Sequence, residues 1–191
     1  METKFSITMA DESHFKYVEE ILYTIEQSAK IRGTGIAKRS PEYITKKMQE
    51  GKAIIALFGE QFAGFNYIET WEGKSFVSTS GLIVVDEFRE QGLAWAIKQE
   101  TFELARSRWP HAKIISITTG SKVMKMNEKL GYISVALSDI THDETFWKGC
   151  QSCRNYDILE RSERKFCCCS AMIFDPKDRL CITKLQQLKN L

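Results

Sequence analysis

A short glycine-containing turn carries the clearest sign of chemistry in the sequence. An apolar run at 82–85 leads through polar residues into Gly92-Leu93-Ala94, which opens a stretch with helical spacing. Small residues let backbone N–H groups approach an anion, and the dipole of a helix N-terminus favours negative charge. A pyrophosphate therefore fits this turn, although an ordinary strand-to-helix connection has the same spacing. No Gly-Lys-Ser/Thr follows, so the turn is not a P-loop.

The cysteines form a second candidate site, because all six lie after residue 149: Cys150, Cys153, Cys167, Cys168, Cys169 and Cys181. The pair Cys150 and Cys153, followed by Cys167 and Cys169, has a spacing that allows four thiolate ligands for zinc. If residues 166–174 form an alternating strand, Cys167 and Cys169 share one face and Cys168 takes the other. The alternative is that these cysteines are small buried residues of that strand.

The composition is that of an ordinary globular protein. The chain has 191 residues, of which 43% are hydrophobic and 27% charged, and this excludes collagen-like, disordered and disulfide-stapled proteins. The net charge of +2 argues against a dedicated nucleic-acid binder. No apolar run reaches the roughly 20 residues of a membrane helix, and no secretory signal follows Met1. We therefore expect a cytoplasmic protein whose cysteines are thiols or metal ligands rather than disulfides.

The elements that position these residues alternate between strands and helices. Period-2 and short apolar runs predict strands at 5–9, 53–58, 62–69, 75–79, 81–85, 113–118, 132–137 and 166–174. Helical spacing predicts helices around 15–25, 41–51, 93–109 and 122–130, with Ser40 as the cap of the second and Pro41 at its first position. This order favours an α/β protein with a mixed sheet and helices on both faces. We predict one domain over 1–175, which contains an irregular cysteine-bearing insertion at 139–165, and a tail at 176–191.

Two motifs resemble those of a known family. Arg89-x-x-Gly92-x-Ala94 after an apolar strand resembles the acyl-CoA motif of the Gcn5-related N-acetyltransferases, and the resemblance covers most of the chain. The helix at 122–130 followed by Gly131-Tyr132 is similar to a later signature of the same family. The resemblance implies a mixed, mostly antiparallel sheet and an N-acyltransferase that uses acetyl-CoA or another short acyl-CoA.

The family pattern also assigns residues to the cofactor. It implies that the backbone of Ile83 and Val84 bonds the pantetheine arm, that Val84 contacts the oxyanion, and that the amides of 90–95 hold the pyrophosphate. Asn127 stands where many relatives have a tyrosine that acts as general acid, near the CoA sulfur. Ser78 or Thr79 stands where a glutamate base is common, so the base is not identified. The cofactor-binding set is Ile83, Val84, Arg89, Glu90, Gln91, Gly92, Leu93, Ala94, Trp95 and Asn127.

Narrower similarities indicate the acceptor. The segment 35–40, the triplet Ile117-Thr118-Thr119 and the later Trp147-x-x-Cys150-x-x-Cys153 resemble short, single-domain N-acetylglutamate synthases. Gly120 and Ser121 depart from an arginine that follows the triplet in the long forms. The implied acceptor-binding residues are Arg39, Ser40, Arg32, Thr118 and Trp147, with Lys38 as a weaker candidate. Arg39 suits bidentate carboxylate binding, and the alternative is a solvated loop arginine.

We therefore expect an N-acyltransferase that moves an acetyl, succinyl or similar group from CoA to the α-amine of an amino acid, with glutamate as the first candidate. The alternatives are a polyamine, antibiotic or protein amine as acceptor, and a non-catalytic module that binds CoA or zinc. The expected partner is a small-molecule amino acid. Neither nucleic acid nor membrane is expected, and a homodimer is left open.

Overall fold

The computed structural model describes residues 5–32, 39–178, 181–183 and 186. The strands in this part of the chain are β1 (Phe5–Met9), β2 (Ala53–Phe58), β3 (Gln61–Trp71), β4 (Phe76–Val84), β5 (Lys113–Thr118), β6 (Ile133–Val135) and β7 (Ser170–Phe174). The α-helices are α1 (Val18–Arg32), α2 (Pro41–Gln49), α3 (Leu93–Arg108), α4 (Ser121–Lys129), α5 (Glu144–Lys148) and α6 (Tyr156–Arg161). None of these helices is long and apolar enough to cross a membrane.

The strands are hydrogen-bonded in the order β1-β2-β3-β4-β5-β7-β6. The antiparallel pairs are β1–β2, β2–β3, β5–β7 and β6–β7. β4 and β5 pair in parallel. The expected mixed, mostly antiparallel sheet is therefore confirmed. The chain divides into two compact units, Met1–Glu69 with Thr79–Leu104, and Thr70–Ser78 with Ala105–Leu191.

The first unit has apolar cores that the helical and strand periodicities of the sequence predict. One core contains Ile21 of α1 and Ile44 of α2, together with Phe65 of β3, all fully buried. The other is formed around Val84 of β4 and Ile97 of α3. The side chain of Ser40 accepts the Tyr43 N–H at 3.2 Å and Pro41 opens α2, so the predicted cap is confirmed.

The second unit has its own core, and apolar residues of the segment at 139–165 pack into it. Part of this segment is regular, because α5 and α6 lie within it, and the stretches around them are turns and loops. Its apolar residues Ile140, Phe146 and Leu159 pack with Ile115 of β5 and Ile173 of β7. The polar residues of α5 and α6 lie on the outer faces of these helices. Both helices are too short to show a clear helical period in the sequence.

Three boundaries differ from the predictions. The runs at 75–79 and 81–85 are one strand, β4, because Gly81 continues the strand with a φ of +70°. The first helix, predicted around 15–25, extends further, because α1 reaches Arg32. The last strand begins at Ser170, because Ser162 Oγ donates to the Phe166 carbonyl at 2.8 Å and accepts the Phe166 N–H at 3.0 Å. In the tail, residues 181–183 and 186 are helical.

Candidate functional site

The turn between β4 and α3, which we call the anion turn, combines left-handed backbone with the N-terminus of a helix. Glu90 and Gly92 have left-handed φ angles of +65° and +78°, and Gly92 adopts this conformation without a Cβ penalty. The N–H groups of Trp95 and Ala96 donate to the Gly92 carbonyl at 3.1 and 3.2 Å, which starts the helix at this residue. The earliest N–H groups of a helix have no acceptor inside the helix, so an anion at this end would accept hydrogen bonds from them.

Arg89 bonds to other residues of the connection between β4 and α3. Its Nη2 lies 2.6 Å from Asp86 Oδ1, and its Nε donates to the Val84 carbonyl at 3.3 Å. Gln91 Nε2 donates to the Glu87 carbonyl at 3.2 Å. These side chains bond to the turn itself, so they fix its shape, and Arg89 also adds positive charge beside it.

The end of β4 is held firmly against β3. Ile83 and Val84 are buried, and the Val85 N–H donates to the Ala63 carbonyl at 3.0 Å. A Cβ at Gly64 would lie 2.8 Å from the Ile83 carbonyl oxygen, so the two backbones approach here more closely than any other residue allows. The backbone expected to carry a pantetheine arm is therefore rigid.

Arg39 is not a solvated loop arginine. Its Nε donates to the Tyr67 hydroxyl at 2.6 Å. Its guanidinium carbon lies 5.4 Å from the ring centroid of Tyr43 and 5.8 Å from that of Tyr67. Guanidinium groups stack favourably on aromatic rings, so the side chain is oriented before any ligand arrives.

Behind Arg39 the chain buries a charge-balanced set of groups. The Tyr43 hydroxyl donates to Glu69 Oε2 at 2.7 Å, and the same oxygen forms an ion pair with Lys47, which is only 5% exposed. Burial raises the pKa of both the Tyr43 and the Tyr67 hydroxyl above the ordinary value for tyrosine. We call Arg39, Tyr43, Lys47, Tyr67 and Glu69 the arginine network.

β4 contacts this network at Gly81. A Cβ on Gly81 would lie 2.6 Å from Cε1 of Tyr67, and the residue has a φ of +70°. Only glycine combines this backbone conformation with the space that the Tyr67 ring occupies. The first unit thus brings Arg39, through Tyr67, next to the strand that leads into the anion turn.

The other predicted acceptor residues have structural partners or lie outside the described part. Ser40 caps α2 with its hydroxyl. The side chains of Arg32 and Lys38 lie outside the described residues. In the second unit, Thr118 Oγ1 accepts the Gly120 N–H at 3.0 Å. Trp147 is 4% exposed and its indole N–H donates to the Thr141 carbonyl at 2.8 Å, so it is part of the core.

Asn127 is fully buried on α4. Its Nδ2 lies 3.6 Å from Met172 Sδ, and within the described residues its Oδ1 has no hydrogen-bond partner. A buried amide oxygen without a donor costs free energy, so a group that donates a hydrogen bond would stabilise it. The assignment of Asn127 to the CoA thiol stays a prediction.

The cysteines do not form the predicted metal site. Cys167 and Cys169 precede β7, so the prediction that they share a strand face is wrong. Burial, and then neighbouring thiols of the group Cys150, Cys153, Cys167 and Cys169, raise the pKa of Cys150 to about 11 and of Cys169 to about 12. We call these four the thiol cluster. Across the described ranges no three His, Cys, Asp or Glu side chains are arranged to hold a metal ion, so zinc is not supported.

Several site residues were not predicted from the sequence. Tyr67 and Glu69 alternate on β3, which is a pattern typical of any strand, and Lys47 lies at a core-facing position of α2. Lys98 of α3 is 2% exposed, its Nζ donates to Thr79 Oγ1 at 2.7 Å, and burial lowers its pKa to about 7. The available signal was its spacing, because Lys98 follows Ala94 by four residues and so shares its helix face.

Comparison with known proteins rests on structure alone, since no protein-family model and no curated protein matches the sequence. N-acetylglutamate synthase from Neisseria gonorrhoeae, complexed with coenzyme A and N-acetyl-glutamate, has a TM-score of 0.63 and 13% identity over 93% of this chain. The match covers 36% of that protein, so the present chain spans about a third of its length. Rv2747 from Mycobacterium tuberculosis, in complex with CoA, has a TM-score of 0.62 and 13% identity over 89% of this chain and 98% of its own.

A third similar structure is an acetyltransferase of the GNAT family from Staphylococcus aureus Mu50, with a TM-score of 0.58 and 12% identity. That match covers 73% of this chain and 91% of the other. The mixed sheet agrees with these likenesses. The chain therefore has the fold of the Gcn5-related N-acetyltransferases.

Proposed function

We propose that this protein is an N-acyltransferase that moves an acetyl or other short acyl group from CoA to the α-amine of an acidic amino acid, with glutamate as the first candidate. The observation that carries the proposal is the left-handed Gly92 turn that joins buried β4 to the N-terminus of α3. Two similar structures contain CoA, which supports the same cofactor here.

In this proposal the pyrophosphate of CoA binds the amides of 90–95, and the pantetheine arm runs back along the backbone of Ile83 and Val84. Fixed N–H groups of a rigid strand stabilise the negative charge that develops on the thioester oxygen. Val84 is the residue assigned to this contact. The acceptor nitrogen attacks the carbonyl carbon, the C–N bond forms, the C–S bond breaks, and CoA leaves as the thiolate.

The arginine network supports an anionic acceptor. A guanidinium presents parallel N–H groups that match the two oxygens of a carboxylate. Because Tyr67 and Tyr43 already hold Arg39, little side-chain entropy is lost when a carboxylate binds. A cationic acceptor such as a polyamine would be repelled by the same group, which makes it the weaker alternative.

Free-thiol release tests the activity. Acetyl-CoA and succinyl-CoA are each mixed with glutamate, aspartate, glutamine, glycine or spermidine, and the CoA thiol is measured over time. We expect turnover with glutamate above that with glutamine, and the preferred thioester identifies the donor. Turnover with spermidine alone would overturn the carboxylate role of Arg39, and no turnover with any amine would overturn the proposed acyl transfer to small molecules.

A pair of glycine variants tests the cofactor site separately. Gly92→Glu adds a carboxylate at the turn, whereas Gly73→Glu adds one at a glycine that also has a left-handed φ, +59°, and open space around it. Both variants therefore place a side chain at a left-handed residue with open space around it. We expect calorimetry to show a loss of CoA affinity of at least about 100-fold, roughly 2.7 kcal/mol, for Gly92→Glu alone. Equal affinities in the two variants would contradict the pyrophosphate assignment.

A further inference from the structure

The proposed reaction needs a group that removes a proton, because the α-amine of an amino acid is an ammonium ion near neutral pH. β4 carries no titratable side chain between Phe76 and Val84. The proton must therefore go to a group that reaches this strand from another element.

Lys98 is such a group. It lies on α3, the helix whose N-terminus forms the anion turn, and its side chain is 2% exposed. Its Nζ lies 2.7 Å from the hydroxyl oxygen of Thr79, which is half-buried on β4. Burial in an apolar environment disfavours the ammonium form, and the pKa of Lys98 is lowered to about 7. At neutral pH a large fraction of this amine therefore has an available lone pair.

The surroundings of Lys98 preserve that property. The neighbours one turn away on α3 are Ala94, Trp95, Thr101 and Phe102, none of which is charged. β4 adds no titratable group. On β3 the titratable groups are Tyr67 and Glu69, which are bonded to Arg39 and to Tyr43 and Lys47.

Thr79 lies on β4 five residues before Val84, the residue assigned to the thioester oxygen. A CoA molecule bound at the Gly92 turn that runs back along β4 therefore places the acceptor amine between these two positions, where water can connect it to the Thr79 hydroxyl. Gly81, against which the Tyr67 ring of the arginine network lies, is two residues from Thr79. Within the first unit, Tyr67, which bonds Arg39, thus reaches β4 at Gly81, and Lys98 reaches the same strand two residues away at Thr79.

We propose that Lys98, acting through the Thr79 hydroxyl, accepts the proton that the acceptor ammonium loses. The inference rests on the proposed acyl transfer. The ammonium gives one proton through water to Thr79 Oγ1, while the hydroxyl proton of Thr79 passes to the lone pair of Lys98 Nζ. The resulting amine attacks the thioester, the second proton of its nitrogen goes to the departing CoA thiolate, and Lys98 returns its proton to solvent through Thr79.

The pH dependence of kcat/KM for glutamate, measured by thiol release from acetyl-CoA, tests this role. In the wild type we expect a rise with an apparent pKa of about 7. In Lys98→Met, which preserves length and packing, the rate at pH 7 falls about 100-fold and the rise moves toward the pKa of the free acceptor amine. Lys98→Arg does not restore the rate, because a guanidinium stays protonated. Thr79→Val behaves like Lys98→Met, and Thr79→Ser restores the wild-type profile.

Two controls separate this role from a structural one. Lys16→Met makes the same substitution at an exposed lysine and leaves the profile unchanged. CoA affinity, measured by calorimetry, stays within about twofold in Lys98→Met. In addition, ¹³Cε-labelled lysine gives the titration of Lys98 in the wild type by NMR, with assignment by its loss in Lys98→Met.

These measurements distinguish a failure of the Lys98 role from a failure of the proposed function. An active wild type whose pH profile is unchanged in Lys98→Met overturns the role of Lys98 and leaves the proposed function intact. A midpoint near the usual lysine value of about 10.4 in the NMR titration does the same. A wild type that releases no thiol with any amine overturns the proposed function, and the role of Lys98 with it.

Discussion

The arginine network of the first unit and the thiol cluster of the second unit are both at least half-buried, yet only the network contains groups of opposite charge. Glu69 contacts Lys47 and Tyr43, while Arg39 contacts Tyr67. In the thiol cluster every group is a weak acid, so a charge on one thiol disfavours a charge on the next. The network can therefore keep ionised groups out of water, whereas Cys150 and Cys169, whose pKa values are raised, favour the neutral thiol.

This contrast bears on function. A site that binds a charged acceptor needs ionised groups that are fixed before the ligand arrives. The network provides them. The thiol cluster, which the sequence presented as a candidate metal site, contributes to the core around α5 and α6 instead.

The largest expected effect is on the buried ion pair. Glu69→Gln leaves the Lys47 ammonium, which is 5% exposed, without its carboxylate, and we expect the free energy of unfolding in urea to fall by about 3 kcal/mol. The matched control is Glu144→Gln, which breaks an exposed pair with Arg164 in the second unit and changes the stability by less than about 1 kcal/mol. Equal losses in the two variants would mean that the network is no better shielded than the protein surface.

The sequence predicted the local parts of this site well. The cap at Ser40, the apolar end of β4 and the turn at Gly92 depend on residues close together in the chain, where spacing and turn chemistry carry the information. The contact between Arg39 and Tyr67 joins residues 28 positions apart, and no local pattern encodes it. The last strand was misplaced for a similar reason, because the Ser162 hydroxyl binds the backbone of Phe166 that an apolar pattern assigned to a strand.

The second expected effect is on the acceptor. Arg39→Ala removes the guanidinium from the network, and we expect the KM for glutamate to rise about 30-fold, roughly 2 kcal/mol, because a hydrogen-bonded charge is lost. The KM for acetyl-CoA stays within about twofold. Arg161→Ala, at a 76% exposed side chain of α6, serves as the control and changes neither constant. If both KM values rise together in Arg39→Ala, Arg39 maintains the fold of the site and does not bind the acceptor.

The smallest effect concerns the thiols and is read from their reactivity. Only the thiolate reacts with iodoacetamide, and the pKa of Cys150 is raised to about 11, first by burial and then by the neighbouring Cys167 and Cys153. At pH 8 we expect the exposed Cys168 to be alkylated first and Cys150 to stay almost unmodified, with its rate rising as the pH approaches about 11.

The raised pKa of Cys150 also determines how the stability of the folded protein changes with pH. Between pH 9 and 11 the unfolded chain ionises Cys150 while the folded protein still keeps it protonated, so the folded state loses stability as the pH rises. Cys150→Ser has no such titration and loses less stability over that window, while its activity at pH 7 stays within about twofold of the wild type. Rapid alkylation of Cys150 at pH 8, measured by mass spectrometry of the peptides, would show an ionised thiol. The thiol cluster would then hold charge as the arginine network does, and the contrast between the two units would fail.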